Sequence, residues 1–180
     1  NESSELIRML NGELNAFASN KYDYYPEALR HEIDIINDLV YDSVNNGVYK
    51  AGFSSNQTAY NEAYDALFEA FEIIEERLSK QRYLCGSVIT EADWRLFPTL
   101  YRFDSIYHYA FKCNKKHLYQ YPNMWSYARA LYQEPGVAEW CFLKEAKTGY
   151  WSNPKINPLG TIPEGPDLDF DQAHDRDRFN

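Results

Sequence analysis

"YLCGSVITEADWRLFPTLYRF", Tyr83 to Phe103, decides how the rest of the chain is read. Gly86 breaks the run before it, and Thr90 then stands where a helix should begin, with Asp93 three residues on. That spacing makes a capping-box-like pair, in which a hydroxyl and a carboxylate satisfy backbone donors that a helix start leaves without partners. Capping therefore accounts for Asp93 better than a role as an acid. Ala92, Leu96, Leu100 and Phe103 follow at helical spacing, so the stretch predicts a helix with one buried face. Pro98 lies inside it and is expected to kink it, at a cost of about 3 kcal/mol where nothing compensates.

The same period extends on both sides. Tyr60, Tyr64, Leu67, Phe71, Ile74 and Leu78 alternate steps of four and three, predicting a helix over 56–80 whose solvated face carries Glu69, Glu72, Glu76 and Lys80. Leu29, Ile33, Ile36 and Val40 predict another from Pro26 to about Ser43, ending at Asn45-Asn46-Gly47. Shorter helices are expected over 2–12, 123–132 and 137–142, with a further one reaching Thr148. No repeat and no convincing strand pair appears. The fold class is all-α: a helical bundle over 1–150, followed by an irregular extension over 151–180. Trp151, Ile156, Leu159, Ile162, Leu168 and Phe170 give that extension apolar anchors. It is expected to form an ordered strap over 151–167, with the last ten or so residues loose.

Composition excludes several classes of function. Net charge is −9, which argues against nucleic acid as a partner, because a basic face supplies most of that affinity. No apolar run reaches the roughly 18 residues a membrane span needs. Cys85, Cys113 and Cys141 are odd in number and lie far apart, so neither a disulfide framework nor a zinc site is expected, and reduced thiols in a cytoplasmic setting fit better. His31, His108, His117 and His174 show no metal-ligand spacing on a helix face, so no metal is expected. Aromatic content is high, with 16 Tyr, 10 Phe and 4 Trp. Aromatic surface in excess of what one small bundle can hide marks an interface.

One stretch interrupts the helical pattern. "VNNGVYKAGF", Val44 to Phe53, places Tyr49 just after an Asn-Asn-Gly turn. Either this is an ordinary connector, or the backbone bends to hold a tyrosine over something. Lys50 beside it reads as a solvated lysine.

"ITEADWRL" preceded by "YLCG" resembles the C-terminal helical domain of glutathione transferases. "YPEALRHEIDIINDLVYDSVNNGVYKAGF", "RFDSIYHYAFKCNKK", "INPLGTIPEGP" and "HDRDRF" narrow the resemblance to the Xi class, the glutathionyl-hydroquinone reductases, over essentially the whole chain. Members of that class place a thioredoxin-like domain ahead of this one, with a nucleophilic cysteine in a Cys-Pro motif. None of the three cysteines here precedes a proline, no βαβ pattern occurs, and the first residue is Asn1 rather than Met. The chain is therefore expected to be a substrate domain without a catalytic residue of its own, completed by its N-terminal thioredoxin-like domain.

The resemblance implies the chemistry. A thiolate of the missing domain attacks the sulfur of a glutathionyl-hydroquinone and releases hydroquinone, and a second glutathione regenerates the thiol as glutathione disulfide. Glutathione is thus a co-substrate, and quinone-derived conjugates are the other ligands. Members of the class dimerise largely through this domain, so with its aromatic surface the chain is expected to form a homodimer. Tyr49 and Tyr150 match the two family tyrosines that contact the hydroquinone oxygens. Glu2 and Ser3 match the acid-serine pair that holds the γ-glutamyl group. Two rival readings stand beside this one: a non-catalytic transferase-like module for protein association, and a conventional conjugating glutathione transferase.

Overall fold

The computed structural model describes residues 3–18 and 22–179, and within them the chain is helical. Among the described residues no strand occurs, and Tyr83 and Gly86 form an isolated bridge. Helix α1 covers Ser3–Asn11, α2 Arg30–Leu39, α3 Gly47–Gly52, α4 Gln57–Lys80, α5 Glu91–Arg102, α6 His108–Ala110, α7 Pro122–Tyr132 and α8 Leu143–Trp151.

Helix α4 is the axis of the bundle. Asn56 caps it by accepting from the Ala59 N–H at 2.9 Å, and its apolar stripe (Leu67, Phe68, Phe71, Ile74, Leu78) is fully buried. Helices α3 and α7 pack on it, and α5 packs on α2. Burying each of these large side chains contributes about 1.5–3 kcal/mol, so the stripe is a substantial part of the core.

Helix α5 starts as its sequence dictates. The Asp93 carboxylate accepts from the Thr90 N–H at 2.7 Å and from the Thr90 hydroxyl at 3.0 Å. It also accepts from the Leu84 N–H at 2.9 Å and the Tyr127 hydroxyl at 2.7 Å, joining α5 to the preceding turn and to α7. Burial pushes the Asp93 carboxyl above its ordinary value, and these four donors pull the other way. The helix runs through Pro98 to Arg102.

Two segments depart from the sequence reading. The helix expected to stop at Asn45-Asn46-Gly47 does not stop there. It widens into a π-helical turn, Val40–Asn45, closed by the Asn46 N–H donating to Tyr41 C=O at 2.9 Å, and resumes as α3. Tertiary contacts override the turn signal: Asn45 donates to Arg95 C=O at 3.1 Å and to Thr99 Oγ1 at 2.7 Å, which anchors the widened turn on α5. Tyr49 therefore projects from a helix and not from a turn.

The second departure is the chain end, expected to be loose. Phe170, one of the expected anchors, is buried against Trp125, Tyr101 and Tyr132, with ring centroids 4.9–5.3 Å apart, and the chain beyond it is held as well. Arg176 is fully buried and donates to the carbonyls of Leu78, Gln81 and Arg82. Those carbonyls lie at the C-terminus of α4, where helix geometry leaves acceptors without partners and favours a cation. Within the expected strap, Leu159 stays 90% exposed, so the tighter anchor lies further along.

Candidate functional site

Three tyrosines from three separate parts of the chain meet at one point. Tyr49 comes from α3, Tyr107 from a π-helical turn over Phe103–Tyr107, and Tyr150 from the end of α8. The Tyr49 and Tyr150 hydroxyls share a hydrogen bond, and the Tyr107 and Tyr150 hydroxyls share another at 3.0 Å. π-Helical turns recur at functional sites because the extra residue rotates the side chains beyond it. Here such turns precede Tyr49 and carry Tyr107.

Phe111 forms the floor beneath them, with its ring centroid 5.3 Å from that of Tyr49, 5.4 Å from Tyr107 and 6.0 Å from Tyr150. Its position depends on Gly52. A Cβ at Gly52 would lie 2.4 Å from Phe111 Cγ and 2.8 Å from its Cβ, so only glycine lets α3 come this close.

The tyrosines open onto a cleft of about 460 Å³, walled by Phe53, Phe111, Ala146, Gly149 and Ile156, with Arg102 and Asn153 as its other polar side chains. That volume accommodates a single substituted aromatic ring. Tyr107 is buried, whereas Tyr49 is 39% exposed and faces the opening. Burial pushes both phenols above their ordinary value, and the hydrogen bonds with Tyr150 push them further. Each stays protonated at neutral pH. Among the described residues the three hydroxyl protons serve two hydrogen bonds, so one donor is left for a ligand.

The other residues singled out from sequence lie apart from this cluster. Ser3 opens α1 and is exposed, and Glu2 lies outside the described residues. Lys50 pairs with Asp42 at 2.5 Å instead of facing the cleft. None of the three thiols is activated: burial pushes Cys85 and Cys113 up to about 12 and raises Cys141. Among the described residues, no group of three or more His, Cys, Asp or Glu is placed to hold a metal ion, and no helix is long and apolar enough to cross a membrane.

Sequence reading missed Arg102 and Phe111 as walls of the cleft, and Tyr107 and Gly52 as the residues packed behind them. Tyr107 and Phe111 stand in the aromatic run "RFDSIYHYAF" at four-residue spacing, which was a signal for one helical face but not for what that face meets.

Residues 57–130 match the family model described as glutathione S-transferase, C-terminal domain. The chain is 46% identical over 178 residues to the glutathionyl-hydroquinone reductase YqjG of Escherichia coli, covering 98% of this chain and 54% of that protein. It is 47% identical over 167 residues to the glutathionyl-hydroquinone reductase PcpF of Sphingobium chlorophenolicum, covering 92% and 53%. The glutathione-bound structure of YqjG superposes with a TM-score of 0.95 at 46% identity, over 98% of this chain and 58% of that one. The Xi-class glutathione transferase of Natrialba magadii superposes with a TM-score of 0.96 at 42% identity, over 99% and 55%. The chain thus spans about half the length of the curated relatives it matches.

Proposed function

Because the chain belongs to the Xi class of glutathione transferases, as their C-terminal helical domain, we propose that it forms the substrate side of a reductase that removes glutathione from glutathionyl-hydroquinones. The observation that carries this reading is the hydrogen bond between Tyr49 and Tyr150 at the mouth of an apolar, ring-sized cleft.

The reaction balances over two steps, a displacement at the thioether sulfur and a thiol–disulfide exchange. A thiolate from a preceding thioredoxin-like domain attacks the thioether sulfur and forms a mixed disulfide with the glutathionyl group. The electron pair of the broken carbon–sulfur bond goes to the ring carbon, which takes a proton and leaves as hydroquinone. A second glutathione then attacks the mixed disulfide, giving glutathione disulfide and the free thiol. This domain supplies no nucleophile. It binds and orients the ring: the tyrosine cluster donates to a ring oxygen, Phe53 and Phe111 pack beside the ring, and the apolar walls exclude water.

Glutathione is the proposed co-substrate, with Glu2 and Ser3 at the γ-glutamyl end. The exposed apolar residues of α1, Leu6, Met9 and Leu10, support a covering partner, for which we propose the thioredoxin-like domain and a homodimer arrangement. Three free thiols support a cytoplasmic setting.

The test is product analysis. Full-length protein given glutathione and a glutathionyl-hydroquinone should release hydroquinone and glutathione disulfide in equal amounts, and the 180-residue chain alone should release neither. Turnover by the chain alone that survives Cys85, Cys113 and Cys141 all changed to Ser would contradict this division of labour. So would a full-length protein that conjugates glutathione to its substrates and never removes it.

A further inference from the structure

The tyrosine cluster explains one wall of the cleft and leaves a charge unexplained on another. Arg102, the last residue of α5, lines the cleft, yet among the described residues its guanidinium has no hydrogen bond and no ion pair. By contrast, Arg8, Arg77 and Arg178 each hold a carboxylate. A second hollow of about 350 Å³, lined by Phe97, Tyr101, Trp140 and Phe142, adjoins the first at Arg102 and Ala146. The guanidinium therefore stands on the partition between two apolar lobes, with its donors unspent.

We propose that Arg102 is a specificity-determining residue that receives a carboxylate which the substrate carries into the cleft. The guanidinium is a planar fork matched to a carboxylate, and a charge-assisted pair in apolar surroundings is stronger than one in water. The placement has to be local, because a chain of net charge −9 attracts no anion at long range. Arg102 lines the same cleft as Tyr49 and Tyr150, which puts the cation on the wall beside a ring held by the tyrosines. With the γ-glutamyl end placed at Glu2 and Ser3, two parts of a conjugate are left to offer the carboxylate: an acidic substituent on the hydroquinone ring, and the glycyl end of the glutathionyl arm. The ring identity rests on the reductase reading, whereas the anion site rests on Arg102 alone.

Four glutathionyl conjugates separate these sources: those of hydroquinone and of dihydroxybenzoate, each with the glycyl carboxylate free or amidated. In the full-length protein, Arg102→Gln should lower kcat/KM for the conjugates bearing the recognised carboxylate by about 10- to 100-fold more than for those lacking it. Arg102→Lys should recover part of that loss, because it keeps the charge and gives up the fork. The carboxylate whose advantage disappears identifies the source. Equal losses on all four conjugates, or no loss on any, overturn the proposal. Calorimetric binding of free dihydroxybenzoate gives a readout without turnover. A protein inactive on every conjugate whose dihydroxybenzoate affinity still falls about 10-fold in Arg102→Gln would overturn the reductase reading and uphold the anion site.

Discussion

Tyr49 and Tyr150 stand 101 residues apart in the chain and share one hydrogen bond between their hydroxyls. If both phenols hold the same ring, Tyr49→Phe and Tyr150→Phe in the full-length protein should each slow hydroquinone release. A hydrogen bond made stronger in the transition state is worth about 1–3 kcal/mol, or roughly 5- to 150-fold in rate. The double variant should fall short of the product of the two singles, because each change already breaks the shared bond. Wild-type turnover in both single variants, with normal thermal stability, would remove the tyrosines from the mechanism.

Gly52→Ala should disturb the site from beneath. The new methyl would overlap the Phe111 ring, and relieving an overlap of that size typically costs about 1–3 kcal/mol. Phe111 cannot move without shifting Tyr49 and Tyr107, so near-ultraviolet circular dichroism should change while the far-ultraviolet helix signal stays. An unchanged near-ultraviolet spectrum with unchanged stability would show that the close approach does not matter.

Arg176→Met should cost more than a surface change near a chain end normally does. It removes donors from three carbonyls at the end of α4 and a cation from a helix C-terminus, a loss of about 2–4 kcal/mol. Urea denaturation of the variant measures it, and deleting residues 170–180 should cost at least as much. A loss below about 0.5 kcal/mol, within the usual range for surface changes, would mean that the chain end is dispensable.

Acid should weaken the fold through His108. This side chain is buried, its Nδ1 has no hydrogen-bond partner among the described residues, and its ring stacks on His117 at 3.8 Å. Burial, with the neighbouring His117 charge adding to it, lowers it from 6.5 to about 4. Between those values the unfolded chain binds a proton that the folded one refuses. Stability is therefore full above pH 6.5 and declines as pH falls toward 4, by up to about 3 kcal/mol. Asp104, raised by burial, takes up its proton more readily in the folded chain and so acts in the opposite sense. His108→Gln isolates the histidine's share: its denaturation midpoint should depend less on pH between 7 and about 4.5 than that of the wild type. Identical pH profiles would exclude His108 as the cause.

Local chemistry was legible in the sequence wherever it depended on near neighbours. Thr90 and Asp93 are three residues apart, so their capping pair could be read directly, and the apolar stripe of α4 announced both its helix and its buried face. The all-α class came from such periods. The turn signal at Asn45-Asn46-Gly47 misled because Asn45 has distant partners, Arg95 and Thr99, which hold the backbone in a π-helical turn that no local rule prefers. The loose chain end misled for the same reason: polar composition says nothing of the unpaired carbonyls at the far end of α4 that Arg176 fills. Tyr49 and Tyr150 could be named from resemblance, but their meeting with Tyr107, the Phe111 floor that Gly52 permits, and the place of Arg102 on the cleft wall belong to tertiary structure alone. Helices form from interactions within a turn or two of chain, whereas a cleft forms where side chains from α3, α5 and α8 converge, and their separation in sequence carries no record of that distance in space.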